Sequence, residues 1–204
     1  MLLLEASSQA ALPPSFYQRP DVVQVARDLL GKGLFTRTPD GLLTGGLIVE
    51  TEAYAGVLDK ASHVYNDRRT QRTEAMYGPG GIAYVYMCYG IHYLLNAVTN
   101  LEGVAQAVLI RALFPTHGID TMLKRRKKQA LDKTLASGPG ALCQALGINL
   151  THYAVSLSSP NLWIADCGVS VKEKEIQVTP RIGVDYAGED AKLPYRFVYS
   201  NRWE

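Results

Sequence analysis

The chain has 204 residues, of which 47% are hydrophobic and 20% charged, with a formal net charge of +2. This composition is that of an ordinary globular domain and excludes a disordered or collagen-like protein. The length suits a single domain, and no stretch approaches the roughly 20 apolar residues that a membrane-spanning helix requires.

Two clusters of basic residues dominate the charge distribution. One run is unbroken over residues 124–128, and the other comprises Arg68, Arg69 and Arg72. A solvated helix surface is the usual explanation of such a run, but two clusters suggest an anionic partner. We expect the second cluster to lie nearer to that partner than the first, since it falls in a loop between two candidate site segments.

The cysteines and the N-terminal segment indicate a protein of the cell interior. Cys88, Cys143 and Cys167 are widely spaced and form no CxxC pair, which favours free thiols over disulfides or a zinc site. The segment 1–14 lacks a basic start, so it is a poor secretion signal and is expected to be a flexible extension. We expect an intracellular, soluble protein, in the cytoplasm or nucleoid if the source is bacterial, with no membrane partner.

The first predicted elements are a helix and a β-hairpin. Apolar residues at helical spacing over residues 22–30 follow Asp21, a candidate N-cap, and precede Gly31, a candidate stop. Strands over residues 33–36 and 42–54 then flank the turn tripeptide Pro39-Asp40-Gly41.

A long loop and further strands follow this hairpin. Residues 55–82 show no sustained period apart from a short helix expected around 73–77, and long loops in compact domains are often functional. Two strands enclose a turn at 88–91 and a third comes after them; the three cover residues 84–87, 92–98 and 106–114.

The rest of the chain combines helices with short strands. Helices are predicted over residues 119–126 and 141–146, the second opened by Ser137-Gly138-Pro139 and ended by Gly147. Strand-like pieces in the tail cover residues 162–165, 175–178 and 195–199. This order predicts an α+β fold over residues 15–204, a single compact domain with a curved, mainly antiparallel sheet, a protruding β-hairpin and surrounding helices.

The segment VETEAY at residues 49–54 places two carboxylates close together on a predicted strand. Alternation would put one set of side chains on one face (Ile48, Glu50, Glu52 and Tyr54) and the other set on the core face (Leu47, Val49, Thr51 and Ala53). Two adjacent carboxylates disfavour joint ionisation, which suits a general base. The alternative, which this segment alone favours, is a solvent-exposed face paired with Arg or Lys of a neighbouring strand.

Arg111 and His63 are two further candidates. Arg111 interrupts the apolar strand AVLIRALF and therefore requires a carboxylate or a phosphate. A structural ion pair with Glu50 or Glu52 and an active-site role both remain open. His63 lies in a polar loop, where an ordinary surface histidine is more common, and the absence of HExxH or nearby ligands argues against a metal site.

Aromatic residues and an asparagine mark the hairpin around residues 84–98. Tyr84 and Tyr86 share a strand face, and Asn96 on the returning strand should lie level with Tyr84. Core packing is the usual role of strand tyrosines, and local backbone capping that of an asparagine. Tyr89 at the tip is harder to explain, because an exposed aromatic residue is costly unless something covers it.

Six segments occur along the chain in the order GLIVETEAYAG, RRTQRTEAMYGPGG, AYVYMCYGIHYLLN, AVLIRAL, SGPGALCQALGI and PRIGVDYAGE, with His63 downstream of the first. In this order they resemble the alkyladenine (3-methyladenine) DNA glycosylase family over about residues 15–200. The resemblance implies a metal-free and cofactor-free enzyme that flips a damaged purine out of double-stranded DNA. Water then cleaves the N-glycosidic bond. The substrates implied are 3-methyladenine, 7-methylguanine, hypoxanthine and ethenoadenine.

The resemblance also implies roles for individual residues. Glu52 would activate the water, Arg111 would help to hold it, and the backbone carbonyl of Ile182 would provide a further contact. Tyr54 and His63 would stack on one face of the flipped base and Tyr86 on the other, while the His63 backbone amide would read the base edge. Asn96 would exclude the guanine 2-amino group, and Tyr89 would fill the gap in the DNA. The other implied DNA contacts are Ile91, Arg68, Arg69, Thr70, Arg72, Met76 and Gly138, whereas Ala141 stands where some members have lysine.

Other functions remain open at this point. No lysine matches a Schiff-base nucleophile, so we expect an abasic product without strand cleavage. A glycoside hydrolase could use the pair Glu50 and Glu52, but it would not need the basic clusters. A non-catalytic damaged-DNA binding module would explain the basic residues and tyrosines, but not the carboxylates. Nothing in the sequence requires more than a monomer.

Overall fold

A computed structural model describes residues 10–200, and a twelve-residue strand at its centre carries the VETEAY segment. The strands are β1 (Gly33–Arg37), β2 (Leu43–Tyr54), β3 (Ala83–Cys88), β4 (His92–Thr99), β5 (Gln106–His117), β6 (Leu162–Ala165), β7 (Ile176–Thr179) and β8 (Arg196–Tyr199). The α-helices are α1 (Pro14–Tyr17), α2 (Val22–Asp28), α3 (Ile119–Arg126) and α4 (Pro139–Leu146).

All eight strands join one curled sheet in which every pairing is antiparallel. The order is β3-β4-β5-β2-β1-β6, while β8 pairs with both β2 and β7. Strand β2 thus pairs with β1, β5 and β8, so its side chains have neighbours on three strands. The predicted α+β fold with a mainly antiparallel sheet is confirmed.

The predicted helix and strand ends agree closely with the structure. The Asp21 side chain accepts a hydrogen bond from the Gln24 N–H at 3.0 Å, which satisfies a free donor at the start of α2. Gly31 follows the helix at φ +80°, a left-handed conformation that glycine adopts without steric cost. The long loop contains three short 3₁₀ segments, Gly56–Leu58, Tyr65–Asp67 and Glu74–Tyr77, the last being the short helix expected there.

Residues 11 and 12, which precede the predicted domain boundary at residue 15, contact β6. Residues 1–9 of the segment expected to be flexible lie outside the described residues. Leu12, however, is buried, and its N–H donates to the Ile164 carbonyl at 2.8 Å. Ala11 forms an antiparallel bridge with Ala165. This backbone pairing with the end of β6 holds the segment on the domain.

One face of the sheet packs against the helices to form the main core. Its members include Val25 of α2, Leu142 of α4 and Ile110 of β5, all fully buried. Within the described part of the chain, no helix is long and apolar enough to cross a membrane. The opposite face is partly polar and carries the candidate site.

A β-bulge in β2 corrects the predicted alternation of side chains. Ile48 pairs with Leu113 and Glu50 with Ala112, so Val49 is an extra residue outside the register. Ile48 therefore faces the main core together with Val49 and does not share the face of Glu50. Beyond the bulge, Glu50, Glu52 and Tyr54 do share one face, as the alternation predicted.

Candidate active site

The sheet aligns five side chains across five strands. Successive residues are direct partners in the register of β3, β4, β5, β2 and β8: Tyr84 with Asn96, Asn96 with Leu109, Leu109 with Glu52, and Glu52 with Arg196. Directly opposed residues point to the same face, and neighbouring strands lie about 4.8 Å apart. Three strand spacings thus separate Glu52 from Tyr84 by roughly 14 Å, which makes the site a platform with the carboxylate near one end.

Glu52 is fully buried and accepts three hydrogen bonds. The Ile182 N–H donates to Oε1 at 2.8 Å, whereas the Tyr54 hydroxyl at 3.0 Å and Arg111 Nη1 at 3.2 Å donate to Oε2. Burial, followed by the charge of Glu52, raises the pKa of Tyr54 well above its usual value, so the phenol stays protonated as a donor. The Ile182 N–H contacts the carboxylate directly, while the expected contact of its carbonyl with water remains a prediction.

Glu50 belongs to the same network of ion pairs and lies two residues before Glu52 on β2. Its Oε1 accepts from Arg111 Nε at 2.8 Å and from Arg196 Nε at 2.6 Å. Arg111 therefore bridges both carboxylates, which is the structural ion pair considered for it, while its active-site role remains a prediction. The alternative of an exposed acidic face is wrong about exposure, since Glu50 is 8% exposed, but right about arginine partners on neighbouring strands.

A second buried ion pair, between Asp59 and Arg181, supports the site, and no pattern in the sequence predicts this pairing. Arg181 donates through Nη1 and Nη2 to the two Asp59 oxygens at 2.5 and 2.9 Å, and to the Ala53 carbonyl at 2.9 Å. Its guanidinium also lies 4.8 Å from the Tyr54 ring centre. Because Ile182 follows Arg181 directly, this pair fixes the donor that contacts Glu52.

A cavity of about 730 Å³ opens above the platform. Aromatic residues from several segments line it, including Tyr54, His63 and Tyr86. The His63 ring lies 4.6 Å from that of Tyr86 and nearly perpendicular to it, and its Nδ1 is 2.9 Å from the Tyr84 hydroxyl. The structure thus brings the predicted base-stacking residues together around one space.

Asn96 lies level with Tyr84, as predicted, and is nearly buried. Its Nδ2 donates to the Tyr84 backbone carbonyl at 3.1 Å, which is the local capping role considered for it. The amide is thereby fixed in the wall of the cavity, which it also lines. Its role against a guanine 2-amino group remains a prediction.

Burial, followed by the charges of Arg72 and Arg68, lowers the pKa of His63 to about 4. We expect the His63 ring signals in an NMR titration to change with a midpoint near pH 4. In the unfolded chain the pKa is 6.5, so the unfolded state binds more protons between these two pH values. Stability should therefore fall as the pH drops from 6.5 towards 4.

The control for this titration is His63→Gln, which should flatten the stability slope in the same pH window. A His63 midpoint near its ordinary value of about 6.5 would contradict the expected burial of a neutral ring.

The hairpin tip presents apolar side chains to solvent. Tyr89 is 90% exposed and has φ +51°, and Ile91 is 73% exposed. Holding a tyrosine in the left-handed region costs about 1–3 kcal/mol. The tip residues expected to contact DNA are thus accessible and held in a fixed turn.

The structure separates the basic residues into different groups. Arg68 and Arg72 line a small cleft beside the main cavity, together with Thr70 and Lys60. Arg69 instead pairs with Glu74 at 2.5 Å and stacks 4.6 Å from the Tyr77 ring centre, away from both linings.

The 124–128 run is largely used for structure. Arg125 donates to the Ala145 carbonyl, Lys128 pairs with Asp132, and Arg126 donates to the Leu135 carbonyl. Arg126 nevertheless borders the main cavity, as Arg72 does, so members of both clusters lie beside it. That the 68–72 cluster lies nearer to the anionic partner remains a prediction.

Two other predicted DNA contacts occupy different surroundings. Gly138 precedes α4, and residues 138–141 border the cavity, so the start of this helix is available there. Met76 is only 2% exposed and packs in a cluster with Tyr84, so it supports the wall and presents little surface to a duplex. Among residues 10–200, no group of three or more His, Cys, Asp or Glu could hold a metal ion.

Comparison with known proteins covers almost the whole chain. Residues 15–202 match the family model of methylpurine-DNA glycosylase. A Chlamydia felis protein named "Putative 3-methyladenine DNA glycosylase" is 49% identical over 188 residues, which are 92% of this chain and 95% of that protein. A Bacillus cereus protein (strain G9842) with the same name is 47% identical over 196 residues, 92% of this chain and 94% of its own length. The matched range contains every site residue described above.

Proposed function

The chain belongs to the methylpurine-DNA glycosylase family, and from this membership we propose that it excises alkylated and deaminated purines from double-stranded DNA. In this proposal, Glu52 activates a water that hydrolyses the N-glycosidic bond and leaves an abasic site. The observation that carries the proposal is a fully buried carboxylate, held by three donors, beside an aromatic-lined cavity.

Among the described contacts, the hydrogen bonds of Glu52 leave one acceptor position of its carboxylate without a donor. An ionised carboxylate offers about four acceptor positions, and Tyr54, Arg111 and Ile182 occupy three of them. A water on the remaining position would donate a proton to Glu52 and turn its oxygen towards the sugar. The negative charge of Glu52 would also stabilise the positive charge that develops on the sugar as the base leaves.

The aromatic residues support the binding of a flipped base. Extruding a nucleotide costs a few kcal/mol, least for a damaged or mispaired base. Stacking contributes about 1–3 kcal/mol per base, and Tyr54, His63 and Tyr86 line the cavity where this stacking would occur. Tyr89 on the exposed tip would fill the space that the base leaves in the duplex.

The test is an excision assay on duplexes that carry one hypoxanthine, 3-methyladenine, 7-methylguanine or ethenoadenine. We expect base release and a strand that breaks only after alkali treatment, since the product is an intact abasic strand. A strand cut without alkali would contradict the monofunctional mechanism, and an unmodified purine in the same duplex provides the control.

The geometry argues against a glycoside hydrolase that uses Glu50 and Glu52 as its pair. Such an enzyme holds the scissile bond between its two carboxyl groups. Here the Arg111 guanidinium lies between them and bonds to both, at 2.8 Å and 3.2 Å. A sugar bond would have to displace a buried arginine.

Arg68→Ala should reduce the dependence of DNA binding on salt. Each phosphate contact contributes about one to the slope of log K against log salt concentration, because it releases counterions. Arg68 is exposed and lines the cleft beside the cavity, so we expect the slope to decrease in magnitude by about one. Dissociation constants measured over a salt series give this slope.

Lys127→Ala is the matched control for that experiment. Lys127 is also exposed, but it ends α3 outside both the cavity and the cleft. For Lys127→Ala, the slope of log K against log salt concentration should therefore stay at the wild-type value. An unchanged slope for Arg68→Ala would contradict the proposal that the 68–72 loop contacts the DNA.

A further inference from the structure

Arg72 places its positively charged guanidinium beside aromatic residues that line the base-binding cavity. Its guanidinium carbon lies 4.7 Å from the centre of the Tyr86 ring, and Nη2 is 3.4 Å from His63 Nε2. Arginine only donates hydrogen bonds, so His63 Nε2 accepts here and Nδ1 carries the proton towards the Tyr84 hydroxyl. Arg72 thus contacts two of the residues expected to stack on a flipped base.

This charge has no nearby acidic partner within the described chain. Over residues 10–200, no carboxylate oxygen forms an ion pair with Arg72 within 4.0 Å, whereas Arg69, Arg111 and Arg181 each have at least one such partner. The effect of Arg72 reaches into the cavity, since after burial it is the next cause of the lowered pKa of His63. The Tyr86 ring therefore lies 4.7 Å from a positive charge that has no ion-pair partner within 4.0 Å among the described residues.

We propose that Arg72 sets the substrate preference by disfavouring cationic purines relative to neutral ones. A purine alkylated at N3 or N7 carries a positive charge, and its attraction to the Tyr86 ring would compete with the guanidinium already there. It would also be repelled by Arg72 at close range. A neutral base such as hypoxanthine meets neither penalty. This inference rests on the proposed glycosylase function and adds to it a residue that determines the choice between cationic and neutral bases.

The test compares two substrates within each variant, so that any general loss of DNA binding cancels. Single-turnover excision of 7-methylguanine (cationic) and hypoxanthine (neutral) is measured in the same duplex sequence. Arg72→Gln should raise the ratio of the first rate to the second about four-fold, the factor for two unit charges roughly 5 Å apart in water-like surroundings. Arg72→Lys keeps the charge and should keep the ratio near its wild-type value.

Arg69→Gln is the matched control, because Arg69 is in the same loop but is paired with Glu74. Its ratio should not change. An unchanged ratio in Arg72→Gln, or an equal change in the Gln and Lys variants, would overturn the inference. If the wild type excises neither base, the proposed function fails and this inference fails with it; excision of both with an unchanged ratio refutes the inference alone.

Discussion

Glu52→Gln is expected to lower the single-turnover excision rate by about 10²- to 10⁴-fold, the usual contribution of a general base. Glutamine has nearly the same shape, but its amide nitrogen is a donor and cannot remove a proton from water. Three donors already point at this side chain, from Tyr54, Arg111 and Ile182. The glutamine NH₂ would therefore oppose at least one of them. The rate is measured with enzyme in excess over a hypoxanthine duplex.

Glu50→Gln is the matched control, because the two carboxylates share Arg111 and one strand face. Glu50 bonds only to arginines in the structure, at 2.8 Å and 2.6 Å, and has no bond to Tyr54 or Ile182 among the described contacts. We expect it to position Arg111, so its loss should reduce the rate far less. Equal losses in both variants would mean that the two carboxylates act as a pair.

The same experiment separates the three function classes. A non-catalytic DNA-binding module would bind the duplex and release no base from the wild type. A carboxylate-pair hydrolase would lose activity equally in the Glu50 and Glu52 variants. If the wild type releases the damaged base and only Glu52→Gln loses this activity, the glycosylase mechanism is the one of the three that agrees with the result.

Local signals account for what the sequence predicted correctly. Asp21 and Gly31 mark the ends of α2 through a cap and a left-handed glycine, which are properties of the adjacent residues alone. The register of Tyr84 with Asn96 followed from a short hairpin turn. These features depend on residues a few positions apart, and therefore appear in the sequence.

The features that the sequence did not predict arise from long-range pairing. The bulge at Val49 depends on how β5 aligns with β2, and alternation within one strand cannot reveal it. Asp59 and Arg181 are 122 positions apart, and each lies in a segment rich in turns. One chemical signal was available in the sequence. An arginine that is buried in an irregular segment next to apolar residues needs a carboxylate partner.

Arg181→Met is expected to destabilise the fold by about 3–5 kcal/mol, since it leaves the buried Asp59 carboxylate without its partner. Both side chains are essentially inaccessible, at 0% and 2%. Asp59 would keep only its bonds from the Ala55 and Ala61 amides. Denaturant unfolding of wild type and variant measures the change.

Arg69→Met provides the comparison for this loss of stability, because it breaks an arginine–carboxylate ion pair at the surface. The Arg69–Glu74 pair is more than half exposed on both sides, and solvent-exposed pairs of this kind contribute little to stability. Similar losses in the two variants would contradict the structural role of the buried pair.

The double variant Asp59→Leu/Arg181→Met should recover part of the stability, because replacing both members of a buried pair by apolar residues removes the uncompensated charge. It should not recover excision, since Arg181 holds both the Ile182 N–H and the ring of Tyr54, whose hydroxyl donates to Glu52.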